Sequence, residues 1–397
     1  MARIKTPSHP SHQFGQKRPP AHGGHSQASP LFHGSKVQPL PAPTGQAPFR
    51  LNLAEIIPDA VKAMEKAGGM ALHMVGDTGG VQNPTPQQLV ANGLEQDAGV
   101  AGAFGVPGFF YHLGDVIYFD GQASEYFAQF YQPYEHYPNP ILGIPGNHDG
   151  DIYDDGKLVN PEPSLAPFVR NFCAATPGVH TPEAREATRT AMIQPNVYFT
   201  LNTPFATFVG LYTNVPEGGV VHPDQQDWFE GELAAADKHL PLIVAMHHPI
   251  QSLDTFHSGS KTMAKVLATA VAASKRQPSM VFAGHVHNYQ RFSVSDAHGM
   301  TPFIVAGHGG YHNLHKMARA NGQDLVTPYQ APNDPNVILD SYMDDRFGFL
   351  RLEISGDFID LACMSVPRPQ EPWSKAPRLY DRLRYNWKTR KSVMFPS

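Results

Sequence analysis

Six residues with metal-binding side chains follow five short apolar runs of the sequence. They are Asp77 in Gly-Asp-Thr-Gly, Asp115 in Gly-Asp-Val-Ile-Tyr, Asn147 in Gly-Asn-His-Asp, His247 in His-His-Pro, and His285 and His287 in Gly-His-Val-His. Carboxylate oxygens mixed with imidazole nitrogens suit iron, manganese or zinc, and the lack of thiolates argues against a structural cysteine-type zinc site. Each motif alone is a weak signal, because a Gly-Asp pair after a strand is most often a turn. Together they favour one shared metal centre.

The apolar runs predict the strands that must position these residues. The runs are 70–75, 109–113, 141–144, 240–246 and 280–283. Each is apolar on both faces, which is typical of strands buried within a sheet. Helix-like stretches at 58–67, 123–131 and 225–236 alternate with them and predict an α/β fold. Further runs at 196–201, 206–211, 301–306 and 348–354 suggest a second sheet layer. Ligands of such sheets bind beyond the carboxyl ends of the strands, where the five motifs can converge.

Charge and composition limit the classes of protein that fit the chain. Of its 397 residues, 41% are hydrophobic, which is enough for a substantial core. Residues 1–50 and 367–397 each carry a formal charge of +6, so the residues between them carry −17. This acidic body argues against a nucleic-acid groove, and no nucleic-acid partner is expected. No apolar run reaches the roughly 20 residues of a membrane-spanning helix. No secretory signal is readable, so the cytoplasm is the default location.

Composition also divides the chain into three parts. Residues 1–49 are rich in Pro, His and Gly and predict a disordered basic tail. Residues 50–366 form the expected folded domain, with irregular insertions at about 150–195 and 311–345. Residues 367–397 predict a basic C-terminal tail. The two cysteines lie far apart in the sequence and do not suggest a disulfide framework.

The five motifs, in this order, resemble those of the calcineurin-like metallophosphoesterases, and in particular the purple acid phosphatase branch. The matching blocks read GDTG, GDVIY, GNHD, MHHP and GHVHNYQR. The resemblance implies a four-layer α/β/β/α sandwich with a dinuclear metal site at the carboxyl ends of the strands. The wider superfamily has a histidine two residues after the first aspartate, where this chain has Gly79. The purple branch uses instead a tyrosine from the second block, and Tyr118 stands at the matching place.

The resemblance also implies a role for each matched residue. Asp77, Tyr118 and His287 would hold one metal ion, Asn147, His247 and His285 would hold the other, and Asp115 would bridge the two. A phenolate from Tyr118 favours a trivalent ion, so the expected pair is Fe(III) with a divalent Fe, Zn or Mn ion. The alternative is that Tyr118 is a core aromatic residue and that both ions are divalent. His148 and His257 are the candidates for acid catalysis or substrate orientation.

The implied activity is hydrolysis of a small phosphorylated substrate, by in-line attack of a metal-activated hydroxide on phosphorus. The resemblance favours an acid-phosphatase-like phosphomonoesterase. The alternatives are a phosphodiesterase or nucleotide pyrophosphatase with two divalent ions, and a metal-binding module that hydrolyses nothing. Purple acid phosphatases are commonly secreted, so the resemblance also allows export. Other enzyme classes fit less well, because the chain has neither a P-loop nor a Gly-x-Ser-x-Gly elbow.

Overall fold

Two large β-sheets pack face to face in this computed structural model, which describes residues 36–154, 156–332 and 334–393. The α-helices are α1 (Pro58–Ala67), α2 (Thr85–Ala98), α3 (Asn147–Gly150), α4 (Ala166–Phe172), α5 (Pro223–Ala235) and α6 (Lys261–Ser274). Short 3-10 helices lie at Leu53–Glu55, Ala123–Glu125 and Pro182–Ala184, and a π-helical turn lies at Phe127–Tyr131. Helices cover the outer face of each sheet, which confirms the predicted four-layer α/β/β/α sandwich.

The strands are β1 (Arg50–Asn52), β2 (Gly69–Val75), β3 (Phe110–His112), β4 (Ile141–Gly143), β5 (Tyr153–Asp154), β6 (Lys157–Leu158), β7 (Phe199–Asn202), β8 (Thr207–Gly210), β9 (Leu242–Met246), β10 (Met280–Ala283), β11 (Tyr289–Asp296), β12 (Gly299–Ala306), β13 (Arg319–Ala320), β14 (Gln323–Asp324), β15 (Tyr329–Gln330), β16 (Val337–Met343), β17 (Gly348–Ser355), β18 (Phe358–Ser365), β19 (Arg378–Asn386) and β20 (Lys391–Val393). The nine-stranded sheet has the order β1-β7-β8-β9-β10-β12-β11-β16-β15. The seven-stranded sheet has the order β20-β19-β18-β17-β2-β3-β4.

Parallel strands in each sheet bring the predicted site residues to the same end of the two sheets. In the seven-stranded sheet β2, β3 and β4 run parallel, with Val75 of β2 opposite His112 of β3. In the nine-stranded sheet β8, β9 and β10 run parallel, with Met246 of β9 opposite Ala283 of β10. The paired strands therefore end level with each other, and the loops after them begin side by side.

The main hydrophobic core lies between the two sheets. Alternate residues of β2, such as Leu72 and Met74, face the same core as Ile243 of β9 and Phe282 of β10, and all four are fully buried. This alternation is the period of two that a strand imposes on its side chains. Each such side chain contributes about 1.5–3 kcal/mol by leaving water. Two further cores lie beneath the helices: α2 covers the seven-stranded sheet, and α5 and α6 cover the nine-stranded sheet.

The predicted C-terminal tail at 367–397 is wrong for residues 378–393, because they form β19 and β20. Leu383 and Tyr385 of β19 face the main core, opposite Leu361 and Ile359 of β18. Most of the basic residues of β19 alternate with these core residues, so the net charge of the segment hides a strand pattern. Tyr385 also makes a polar contact, in which its hydroxyl donates to the Met300 carbonyl at 2.7 Å.

The predicted N-terminal tail is also wrong where the structure describes it. Residues 36–49 form no helix or strand but lie against the domain. Gln38 is buried, and its backbone amide donates to Asn214 Oδ1 at 2.9 Å. The Gly45 amide donates to the Pro195 carbonyl at 2.8 Å. Proline-rich sequence made this segment look disordered, although an extended chain can dock through its backbone. The rest of the predicted tail, residues 1–35, lies outside the described residues.

Other differences concern the insertions and the outer helices. The region 311–345, expected to lie outside the sheets, supplies β15 and β16 to the nine-stranded sheet. The predicted helix at 123–131 is a 3-10 helix followed by a π-helical turn. Helices α2 and α6 were missed, because their apolar residues do not stand out from the surrounding sequence. Among the described residues, no helix has both the length and the apolar composition that crossing a bilayer requires.

Candidate metal centre

The loops after β2, β3 and β10 turn sharply and place side chains at the edge between the sheets. Asp77, Asp115 and His285 each have a positive φ, of 58°, 53° and 69°. Residues other than glycine rarely adopt this region, and such residues cluster at functional sites. The loops also pack tightly, since a Cβ on Gly146 would lie 2.1 Å from Asp115 Oδ1. Asp149 ties the loop after β3 to the loop after β4 by accepting from the amides of Val116 and Gly146 at 3.1 and 2.8 Å.

Asp77, Tyr118 and His287 form the first group of converging side chains. The Tyr118 hydroxyl lies 3.4 Å from both Asp77 Oδ1 and His287 Nε2. Asp77 Oδ1 and His287 Nε2 are 3.5 Å apart. These three atoms therefore form a nearly equilateral triangle. Its edges suit ligands that share one ion, since such ligands each lie about 2.0–2.2 Å from a zinc-sized ion.

Asn147, His247 and His285 form the second group. Asn147 Oδ1 lies 3.0 Å from His247 Nε2 and 3.0 Å from His285 Nδ1. Asp115 Oδ2 lies 3.3 Å from His247 Nε2, which brings this carboxylate into the same group. Residues from the seven-stranded sheet and from the nine-stranded sheet therefore meet across the edge, as the strand-end motifs predicted.

Hydrogen bonds at the outer side of each imidazole orient these histidines. His247 Nδ1 lies 2.8 Å from the Leu113 carbonyl, and His287 Nδ1 lies 3.0 Å from the Asn313 carbonyl. A carbonyl only accepts, so each Nδ1 carries a hydrogen and a neutral ring keeps its lone pair on Nε2. In the neutral form that a metal ligand needs, the lone pairs of His247 and His287 therefore face the centre. Metal-ligating histidines are typically held in this way.

The two buried carboxylates have histidine neighbours but no lysine or arginine partner among the described residues. Asp77 and Asp115 are 0% and 1% exposed, and no lysine or arginine of the described chain lies within 4.0 Å of either carboxylate. Asp115 Oδ2 accepts no hydrogen bond from any described residue. Burying a carboxylate without a cation is costly. A pair of metal ions fits this donor set, because it would compensate both carboxylates and the orphaned oxygen.

Burial and mutual contact shift the pKa values of the group. Burial raises the pKa of Asp77 above its usual range. Burial opposes ionisation of Asp115 too, but the neighbouring His247 outweighs it and holds the pKa of Asp115 below its usual range. The same contact overcomes burial at His247 and raises its pKa to about 9. Burial lowers the pKa of His285 to about 4, so this ring is neutral at pH 7 and can act as a ligand.

Tyr118 fills the space that the missing histidine of the wider superfamily would need. A Cβ on Gly79 would lie 2.5 Å from Tyr118 Cδ2 and 2.5 Å from Gln129 Oε1. Tyr118 also stacks on Tyr311, with ring centroids 4.1 Å apart. Burial, followed by the Asp115 carboxylate, raises the pKa of Tyr118 well above its usual value. A side chain at position 79, such as the histidine of the wider superfamily, would therefore clash with Tyr118 in its observed position.

Both candidate catalytic histidines lie beside the two groups. The His148 amide donates to Asp115 Oδ1 at 3.0 Å, and its Nδ1 lies 2.9 Å from the Phe119 carbonyl. The rings of His257 and His285 have centroids 4.4 Å apart. His257 was the softer prediction from sequence, because the residues before it match the family poorly.

Two residues of the site were missed by the sequence reasoning. Glu217 lies 3.0 Å from His257 Nδ1 and 3.4 Å from His285 Nε2, through its Oε1. Tyr311 stacks on Tyr118 and lies 4.7 Å from the His287 ring. Glu217 follows strand β8 in Val-Pro-Glu-Gly-Gly, so its place after a buried strand was the available signal. Tyr311 directly follows the Gly-His-Gly-Gly turn after β12, which was the corresponding signal.

Comparison with known proteins assigns the fold and the site to a class. A profile of the family described as calcineurin-like phosphoesterase matches residues 72–289, more than half of the chain. The chain therefore belongs to the calcineurin-like phosphoesterase family, whose members bind a dinuclear metal centre. All six candidate ligands at the strand ends lie within the matched range.

Within this family the chain is similar to purple acid phosphatases. It is 30% identical over 166 residues to purple acid phosphatase 21 of Arabidopsis thaliana, covering 40% of this chain and 34% of that protein. It is 29% identical over 169 residues to probable purple acid phosphatase 20 of the same plant, with 40% and 35% covered. The chain thus spans about a third of the length of these curated relatives. These matches confirm the predicted resemblance to the purple acid phosphatase-like branch.

Solved structures support the fold. Purple acid phosphatase PPD1 of yellow lupin superposes with a TM-score of 0.55 at 18% identity, over 80% of this chain and 54% of that chain. GAP50, described as the anchor in the inner membrane complex of Plasmodium, superposes with a TM-score of 0.53 at 15% identity, over 80% and 89%. At these identities the likeness concerns the fold alone.

Proposed function

We propose that this chain hydrolyses phosphoesters of small molecules with two metal ions, as a phosphomonoesterase similar to purple acid phosphatases. The observation that carries the proposal is the meeting of two buried donor groups, since the His285 amide donates to Asp77 Oδ2 at 2.8 Å. Asp115 lies 3.3 Å from His247 in the second group, and its buried Oδ2 lacks a hydrogen-bond donor among the described residues. Family membership and the purple acid phosphatase relatives support the same reaction class.

In this proposal the two donor groups are the two metal sites. Asp77, Tyr118 and His287 would hold the first ion, Asn147, His247 and His285 the second, and Asp115 would contribute to both. When bound, two such ions lower the pKa of a water molecule and neutralise the oxygens of the phosphoryl group. The phenol of Tyr118 supports Fe(III) as the first ion, because a hard anionic oxygen favours a trivalent metal. The second ion would be Fe, Zn or Mn in the divalent state.

The remaining work falls to the two histidines beside the metal sites. His148 is fixed through its Nδ1, which donates to the Phe119 carbonyl, so its Nε2 is the nitrogen that would meet the phosphoryl group. His257 is fixed through Nδ1 by Glu217, so its Nε2 would likewise face the substrate. A leaving alkoxide needs a proton, and a positioned imidazole can supply it. We assign substrate orientation to His148 and proton donation to His257, which would give the Nε2 hydrogen of its doubly protonated ring and keep the Nδ1 hydrogen on Glu217.

A substrate panel with metal analysis tests the proposal. The purified chain is assayed with p-nitrophenyl phosphate and with its bis ester, and its metals are quantified beside its visible spectrum. We expect the monoester to be hydrolysed faster, with an iron–phenolate absorption band and two ions per chain. Faster cleavage of the bis ester by a colourless protein would favour a phosphodiesterase with two divalent ions. Metal binding without hydrolysis of either ester would overturn the enzymatic function.

A further inference from the structure

Glu217 lies outside every sequence motif of the site, yet its loop is built to hold it there. The loop follows β8 and turns through Asn214, Gly218 and Gly219, whose φ angles are 62°, 79° and 78°. The Gly219 amide donates to the Pro216 carbonyl at 2.8 Å, and the Gly218 carbonyl accepts from the Ser260 hydroxyl. The Glu217 side chain is only 16% exposed. Backbone contacts on both sides of Glu217 therefore hold the loop, and the loop places the carboxylate.

One carboxylate oxygen of Glu217 serves two imidazoles. Oε1 lies 3.0 Å from His257 Nδ1 and 3.4 Å from His285 Nε2. Both histidines are buried, and a carboxylate can only accept hydrogen bonds. Each of these two nitrogens therefore carries a hydrogen that points at Glu217. A neutral His285 then keeps its lone pair on Nδ1, which lies 3.0 Å from Asn147 Oδ1.

The three histidines of the site share this arrangement, but their partners differ. His247 and His287 are held by the backbone carbonyls of Leu113 and Asn313, whereas His285 is held by a side-chain carboxylate. A charged acceptor makes a stronger hydrogen bond than a neutral carbonyl. Among these three candidate ligands, His285 is therefore the one whose orientation a single side-chain substitution can change.

We propose that Glu217 is a positioning residue that fixes the tautomer of His285 and the ring orientation of both His285 and His257. The inference rests on the proposed function, since His285 would hold the second ion and His257 would donate the proton. Carboxylates behind metal-binding histidines raise the basicity of the ring, and their loss typically costs about 10–100-fold in metal affinity or activity. One residue then couples metal retention with placement of the catalytic imidazole.

The test compares E217Q with a matched variant, E232Q. Glu232 is another buried glutamate, bound to Arg50 at 2.9 Å and to Thr200 at 2.7 Å, and it lies outside the metal centre. Each purified metal-loaded protein is dialysed against the chelator dipicolinate, and the metal content is followed with time. We expect E217Q to lose one ion about 10–100-fold faster than the wild type, and to show a lower kcat. E232Q should retain its metals like the wild type.

Two more variants separate the two effects of Glu217. His257→Ala should keep the wild-type rate of metal loss while its kcat falls, because this residue is not a ligand. E217D keeps the charge on a shorter side chain, should recover part of the metal retention of the wild type, and serves as the second variant if E217Q does not fold. A merely steric role predicts that E217Q, nearly the same shape as glutamate, behaves like the wild type.

Different results would overturn the inference and the proposed function. Wild-type metal retention and kcat in E217Q, within a wild-type protein that holds two ions and hydrolyses phosphoesters, would overturn the positioning role alone. Three ions in the wild type and two in E217Q would make Glu217 a ligand of its own ion and would also overturn that role. A wild type without bound metal or hydrolysis would instead overturn the proposed function.

Discussion

Replacement of Tyr118 by phenylalanine tests the choice between an iron–phenolate site and a pair of divalent ions. The substitution removes one oxygen and keeps the ring, which packs between Gly79 and Tyr311. In the metal-free protein the hydroxyl makes two long contacts of 3.4 Å, to Asp77 and to His287. Hydrogen bonds this long contribute at most about 1 kcal/mol each to folding. We therefore expect the free energy of unfolding of the metal-free protein to fall by at most about 2 kcal/mol.

The effect on the metal-loaded protein should be much larger. Tyr118 would be one of the few protein ligands of the first ion, so affinity for that ion should fall by more than the about 10–100-fold that outer residues cause. The visible absorption band, which arises from the bond between phenolate and Fe(III), should disappear. Activity should fall together with the content of the first ion.

The assay combines three measurements on Tyr118→Phe, with Tyr311→Phe as the matched control. Iron content, the visible spectrum and kcat are compared with those of the wild type. Tyr311→Phe removes a hydroxyl from the stacked neighbour of Tyr118 and should keep the colour and the metal. A Tyr118→Phe protein that retains full colour would refute the assignment of Tyr118. A colourless wild type that is fully active would show that both ions are divalent.

Two further predictions concern catalysis and stability. His257→Ala should lower kcat by about 10²–10⁴-fold, as expected for loss of a general acid, with the metal content unchanged; an unchanged kcat would remove His257 from the mechanism. His308 is fully buried, and burial lowers its pKa to about 3, well below the usual 6.5. The pKa of His308 is lower in the folded state than in the unfolded state, so as the pH falls the unfolded state binds the proton first. The contribution of His308 to the free energy of unfolding is therefore complete above pH 6.5 and is lost as the pH drops toward 3. The slope from this residue is at most about 1.4 kcal/mol per pH unit, and urea unfolding of His308→Gln from pH 7.5 to 5 should show a shallower decline than the wild type. Equal slopes would place the acid sensitivity elsewhere.

The sequence predicted those strands and helices whose residue pattern depends on neighbouring residues alone. The strand before Asp77 and the strand before Asp115 were found because fully buried parallel strands are mostly apolar, and because a glycine follows each apolar run. The spacing of His285 and His287 suggested an extended backbone with both side chains on one side. The backbone instead bends, with a φ of 69° at His285, and the two rings enter different donor groups. Helix α1 was predicted with its observed ends, Pro58 and Ala67, because proline and glycine mark both termini.

Long-range pairing decided the parts that the sequence did not reveal. Strand β19 is recognisable only with its neighbour β18, since its basic residues mask the alternating Leu383 and Tyr385. Glu217 enters the site because β8 lies beside β9 in the sheet. The residues around Glu217 in the sequence do not indicate that these two strands are neighbours. Tyr311 gains its place by stacking on a residue almost two hundred positions earlier. Contacts of this kind depend on topology rather than on local propensity.

The metal content of the wild type and of Asp115→Asn tests the central claim most directly. Asp115 is the carboxylate that would contribute to both proposed metal sites, and asparagine keeps its shape while removing its charge. The proposed function predicts two ions per chain in the wild type, at most one in Asp115→Asn, and loss of phosphoester hydrolysis with the missing ion. Two ions and unchanged hydrolysis in Asp115→Asn would contradict a dinuclear centre built around this residue.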